Sequence, residues 1–259
     1  MQTFPAILGW LWIKEGLALF RKQPAELSTL FLSYFFLMII IGIIPFLGQL
    51  LPLILIPVFS MAFMQACADV EQGKRVYPSV LLTAYRSPAF FTLLKLGAMY
   101  VVAMAIAVAA SSLIDGGVFF KVMTGQITLD AETVQGSNMS LAMLFAAVVY
   151  IPAAMAFWYA APLITWQKMG LMQAIFYSFF SVRRAGKAFV VYGLAWVAIG
   201  VLLPVFVSGL IGLLTGRSAV TMMILMTLSI VMTVIMYCSF YPTYTHVFGS
   251  PNAPREIAE

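Results

Sequence analysis

The sequence predicts an all-α fold, a polytopic transmembrane helical bundle. It should have six spans plus interfacial amphipathic helices, built as a three-fold repeat of surface helix and helical hairpin. Three observations predict it. Hydrophobic residues make up 63% of the 259 and charged residues 9%, with a mean hydropathy of +1.02; soluble domains carry roughly 25% charged residues. The charges stand at the ends of apolar runs of about 20 residues or more, the length that crosses hydrocarbon. An aromatic segment ending in basic residues also comes back three times. No soluble domain of this length has interior enough to hide so much apolar surface.

Charge-free intervals set the spans in order. The interval 27–68 holds two, about 27–46 and 50–68, separated by IPFLGQLLP, where Pro45, Gly48, Gln49 and Pro52 supply a turn. The third, 96–114, starts after Lys95 and stops before Asp115. A polar outer segment, 115–138, leads to the fourth span, 141–166, closed by Gln167 and Lys168. The fifth is 188–215, and a GRS turn around Arg217 returns the chain into the sixth, 219–247. Residues 1–248 form a single membrane domain, and 249–259 a short, frayed cytoplasmic tail. A cleavable signal peptide is not expected, because Lys14 and Glu15 interrupt the early apolar stretch.

Orientation follows from the cations. Spans alternate sides, which puts 12 of the 14 Lys and Arg on one face, leaving Lys121 and Arg217 on the other with Asp115, Asp130 and Glu132. Lys and Arg resist translocation, so the rich face is cytoplasmic and both termini lie there. The same logic turns the net charge of +5 away from nucleic acid and toward the membrane. Arg183, Arg184 and Lys187 then hold the start of the fifth span on the cytoplasmic side.

Three units, about 5–70, 77–168 and 170–248, share one pattern. Each opens on an aromatic-basic segment: GWLWIKEGLALFRKQP (9–24), PSVLLTAYRSPAFFTLLK (78–95) and GLMQAIFYSFFSVRRAGK (170–187). Two spans come after it, the second bearing a late proline, Pro57, Pro162 or Pro242. Wound as a helix, the first segment aligns Lys14, Ala18, Arg21, Lys22 and Ala25 along one stripe. Trp10, Leu11, Ile13, Leu17 and Phe20 take the rest, as suits a helix lying on the membrane surface. The third segment reads as interfacial from Phe176, Tyr177, Phe179 and Phe180 and its basic end.

FRKQP (20–24), IPFLG (44–48) and FWYAAP (157–162) with AIFYS (174–178) carry a resemblance. The chain resembles six-helix inner-membrane proteins of proteobacteria. More loosely it is similar to YciC-like proteins and to the membrane domain that accompanies some glycerophosphodiester phosphodiesterases. The resemblance implies an α-helical inner-membrane protein and brings no catalytic residues with it.

Catalysis needs a nucleophile with a base, paired carboxylates or clustered metal ligands. The chain has one histidine, His246, at the end of the last span, where an interfacial polar residue is ordinary. Its two cysteines, Cys67 and Cys238, read as small buried hydrophobes. Glu15, Glu26, Asp69 and Glu71 read as balancing nearby cations, and Asp115 as solvated loop charge. No cofactor, metal site or enzymatic activity is expected. An ion-coupled carrier would keep an ionisable group at mid-membrane, and no span has one near its centre. Helix kinks are expected at Pro57, Pro152, Pro162, Pro204 and Pro242. Gln65, Thr165, Thr221, Thr227 and Thr233 are expected to hydrogen-bond between helices. Small residues at four-residue spacing, Ala103, Ala107 and Ser111, then Ser208, Gly212 and Gly216, suggest packing inside the bundle or a homodimer. The 17 methionines read as adaptable packing.

The expected function is that of a non-enzymatic inner-membrane protein. Lys14, Arg21, Lys22, Arg86, Lys95, Arg183, Arg184 and Lys187 would contact anionic headgroups of the cytoplasmic leaflet, with a homo-oligomer or membrane-protein partner as further company. The alternative is a small permease or channel for an uncharged or weakly polar solute.

Overall fold

The computed structural model describes residues 4–45, 47–128, 137–215 and 218–251. Asp130, Glu132, Gly216, Arg217 and the tail beyond 251, all assigned to loops, stripes or ends from sequence, lie outside those residues. The described chain is helical throughout, without strands. Helices α1 (Leu8–Lys22), α2 (Pro24–Gly42) and α3 (Leu47–Glu71) come first, with a 3-10 turn (Pro78–Leu82) after them. Then come α4 (Phe90–Asp115), α5 (Val118–Met123), α6 (Met139–Phe157) and α7 (Ala160–Thr165). Last are α8 (Leu171–Arg184), α9 (Gly186–Thr215) and α10 (Ser218–Phe248). Six helical stretches are long and apolar enough to cross a membrane, the fourth being α6 and α7 together.

Burial separates the roles of the spans. The most apolar stretch of α3 is 56% buried within the chain, that of α9 only 6%. Helix α3 is therefore the central post, and α9 a wall facing outward. Leu113, Leu213, Phe206, Met222 and Ile43 stand fully to the outside. Water would not tolerate so large a contiguous apolar surface, and hydrocarbon does.

Two packed groups make up the bundle. Helices α1, α2, α3, α9 and α10 form one, and α4, α6, α7 and α8 the other, with α3 against α4 and α7 joining them. Backbones come very close at glycines. A Cβ on Gly97 of α4 would overlap the Ile54 carbonyl of α3, and one on Gly9 of α1 the Ala188 carbonyl of α9. On Gly16 it would fall 2.5 Å from the Ser239 Cα of α10.

Several boundaries differ from the sequence expectation for physical reasons. The second leading segment is no surface helix. Pro78 opens the 3-10 turn, Pro88 interrupts the chain beyond it, and the Ser87 hydroxyl accepts the Ala89 N–H at 3.2 Å, so α4 starts at Phe90 and contains Lys95. Lys95 stays exposed, its long stem reaching outward from an apolar helix. The fourth span breaks at Trp158–Tyr159 into α6 and α7. Asp115 is a cap and not a merely solvated charge. Gly116 and Gly117 end α4 in left-handed conformations (φ +64 and +90), and the Asp115 carboxylate accepts the Gly117 and Phe119 N–H groups at 2.8 and 2.6 Å. The outer segment thus begins as the short helix α5.

Pro57, Pro152, Pro204 and Pro242 lie inside α3, α6, α9 and α10, as does Pro52 in α3. Pro162 sits in the first turn of α7, just beyond the break. Thr165, Thr227 and Thr233 do not bridge helices. Each hydroxyl donates back to its own helix, to the carbonyls of Ala161, Met223 and Ser229, a local bond open to any helical Thr. Of the small-residue stripes, Ala107 and Ser111 are buried, whereas a Cβ on Gly212 would meet open space.

Candidate functional site

The eight cations named for headgroup contact are all exposed. Lys14 lies midway along α1, and the other seven lie on or beside the start of α2, α4 or α9, the first helix of its hairpin, at the end of the bundle here called the basic end. Two helices there carry exposed aromatics beside the cations. Helix α8 buries Ala174, Ser178 and Val182 at four-residue spacing and exposes Met172, Phe176, Tyr177 and Phe180. It ends on Arg183 and Arg184, and the next helix opens with Lys187. On α1, Trp10 and Leu11 are exposed, with the Lys14 Nζ 5.8 Å from the Trp10 ring centre.

Helix α1 departs from the simple surface helix read from its sequence. Gly9, Trp12, Ile13, Gly16 and Leu19 are buried against α9 and α10. The Trp12 ring packs 5.2 Å from Phe189 and 5.9 Å from Tyr192. Its Nε1–H donates to His246 Nδ1 at 3.3 Å, and His246 Nε2 meets the Glu15 carboxylate at 3.1 Å. His246 therefore ties the last turn of α10 to α1. The seven-residue spacing of Gly9 and Gly16 around Trp12 was the readable signal for this contact.

Of the acidic residues at this end, Asp69 and Glu71 hold uncharged partners. Glu26 pairs with Arg75 at 3.2 Å. Asp69 instead accepts from Gln65, whose carbonyl takes the Trp166 Nε1–H, and Glu71 accepts the Tyr241 hydroxyl at 2.5 Å. Gln65 is thus an interhelical bridge, as expected. Cys67 and Cys238 are buried side by side on α3 and α10. Among the described residues no group of His, Cys, Asp and Glu could hold a metal ion.

The break between α6 and α7 is stitched from outside. The Ser178 hydroxyl of α8, fully buried, accepts the Tyr159 N–H at 2.9 Å and donates to the Met155 carbonyl at 2.9 Å. In an uninterrupted helix those two groups would bond each other, so Ser178 is inserted into the ladder. The Phe157 carbonyl accepts the Tyr100 hydroxyl of α4 at 3.2 Å. Pro162 has no N–H to offer the Trp158 carbonyl one turn back. Non-helical backbone survives at membrane depth when protein wraps it, and Tyr159 to Ile164 are all buried.

Beside this break lies a cavity of about 290 Å³ between the α2–α3–α10 side and the α4–α6 pair. Nine of its 16 lining residues are aromatic, against 14% aromatic in the chain. Among the described residues no Asp, Glu, Lys, Arg or His lines it. Sequence reading missed it because its walls come from five long helices and α7.

Six apolar spans around a wrapped helix break define a polytopic α-helical membrane protein. A Burkholderia thailandensis protein, named as a probable inner membrane protein, is 39% identical over 254 residues, 95% of this chain and 94% of its own length. The chain belongs to the family of that inner-membrane protein. No family model matches it, which leaves the looser likeness to YciC-like and phosphodiesterase-associated domains without support. No solved structure matches it.

Proposed function

We propose that this multi-pass inner-membrane protein is non-catalytic and grips the anionic cytoplasmic leaflet through α1, α8 and the cations at their ends. Both termini then lie in the cytoplasm. One observation carries the reading. The exposed side of α8 is aromatic while its end is cationic, a face suited neither to water nor to deep hydrocarbon. Rings at the acyl boundary and guanidinium groups among phosphates satisfy both. Each such cation near an anionic surface contributes about 1 kcal/mol.

The test replaces Arg183, Arg184 and Lys187 with Gln together and counts, by mass spectrometry, the lipids kept through purification in mild detergent. The wild type is expected to enrich phosphatidylglycerol and cardiolipin over phosphatidylethanolamine, and the triple variant to lose most of that enrichment while staying folded. Equal enrichment in both would refute the reading. A permease for an uncharged solute is the second reading, favoured by the uncharged cavity at the α6–α7 break.

A further inference from the structure

We propose that the cavity beside the α6–α7 break is a binding site for a compact, neutral, ring-containing molecule with one hydrogen-bonding group. The claim stands whether or not that molecule is carried across the membrane, and whether or not α8 selects anionic lipid.

Size sets the first bound. A cavity of about 150 Å³ holds benzene, and this one, at about 290 Å³, fits a two-ring molecule and lies at the low end of small-ligand sites. The walls set the second. Tyr34, Phe59 and Tyr237 stand on one side and Tyr100 and Phe157 on the other, with Trp158 at the break. Neighbouring rings already pair face to face and edge to face. Tyr100 stacks on Phe157 at 4.5 Å, and Trp158 meets Phe240 edge to face at 5.1 Å. A flat ring entering between them finds the same offset and edge contacts, whereas a flexible chain gains less from them and loses more conformational freedom.

Polarity sets the third bound. With no Asp, Glu, Lys, Arg or His among the described lining residues, a charged ligand would lose its hydration without a counter-charge. The cavity is not wholly apolar, however. Several of its polar groups are already committed: the Tyr100 hydroxyl to the Phe157 carbonyl, the Trp158 Nε1–H to the Thr243 hydroxyl at 3.3 Å, and the Tyr159 hydroxyl to the Thr243 carbonyl at 3.0 Å. Two are not. Among the described residues neither the Ser60 hydroxyl of α3 nor the Tyr150 hydroxyl of α6 has a hydrogen-bond partner. Other hydroxyls in the spans, such as Ser111 and Thr227, bond back to their own helix; Ser60 does not. These free groups on opposite walls are the handles that would orient a ligand's hydroxyl or carbonyl.

The probe is 1-naphthol, a neutral two-ring phenol, measured by equilibrium dialysis against nanodiscs holding the full-length protein and against empty nanodiscs. Saturable binding of one molecule per chain is expected beyond the bilayer's own uptake. Of Ser60→Ala and Tyr150→Phe, which keep the packing, the one whose side chain meets the naphthol hydroxyl is expected to weaken it roughly five- to tenfold, the worth of one hydrogen bond. Ala154→Phe, which fills the cavity, is expected to abolish it; the two conservative variants keep the test decisive if that chain misfolds. Uptake no greater than that of empty nanodiscs would overturn the proposal, as would binding indifferent to both conservative variants. Equal displacement of naphthol by 1-undecanol would overturn it in favour of an acyl-chain site. Tighter binding of trimethylphenylammonium would overturn it in favour of a cation cage.

Discussion

Gly97→Ala is expected to lower stability by about 3 kcal/mol or more, the upper end of what an overpacked core costs. The new methyl would overlap the Ile54 carbonyl of α3. A flexible side chain could turn aside, but a backbone carbonyl moves only if the two helices part. Parting α3 from α4 also loosens Leu93 and Leu96, both fully buried at the same contact. Helix α3 makes the most extensive contact between the two packed groups, so the damage spreads through the bundle. Gly200→Ala is the control, because a Cβ there meets open space. Alanine suits a helix better than glycine by up to about 1 kcal/mol, so this substitution should be neutral or mildly stabilising. Unfolding midpoints in detergent micelles, compared between the two variants, check the contrast. Similar midpoints would mean that α3 and α4 do not touch as described.

Ser178→Ala is expected to cost about 2–6 kcal/mol. The hydroxyl satisfies two buried backbone groups, the Tyr159 N–H and the Met155 carbonyl, and each one left unpaired costs about 1–3 kcal/mol. Ser181→Ala, on the same helix but without a comparable bond, should change stability by no more than about 0.5 kcal/mol. The same thermal series measures both. A Ser178→Ala midpoint equal to wild type would show that Tyr159 closes back onto Met155 and that the break needs no stitch. Since Phe157 and Trp158 line the cavity, the Ser178 variant should also bind naphthol more weakly.

Hydropathy alone made the six spans readable, because a charge in hydrocarbon is costly and the chain confines its charges to the ends of its apolar runs. Boundaries were less readable where a long side chain blurs the edge. Lys95 reads as the boundary ahead of the third span, yet it lies within α4 and stays exposed. The break at Trp158–Tyr159 was beyond sequence reasoning for a different reason. Pro152 and Pro162 each announce a missing backbone donor. Which of them opens the helix depends on Ser178 and Tyr100, which arrive from other helices. Trp12 was hidden in the same way. Period alone assigned the apolar side of α1 to lipid, whereas Gly9 and Gly16 bring half of it against α9 and α10. The cation cluster was visible at once, being local in sequence, and the aromatic cavity was not, being assembled from distant positions.

The central claim is that the chain crosses the membrane six times with its basic end in the cytosol. Single-cysteine labelling tests it most directly, in a background with Cys67 and Cys238 replaced by alanine. In spheroplasts, a membrane-impermeant maleimide should react with a cysteine at Gln126, beyond α5. Cysteines at Gln72, after α3, and at Ser250, after α10, should react only once the membrane is opened. Labelling of either of those in sealed spheroplasts, or protection of position 126, would contradict the account.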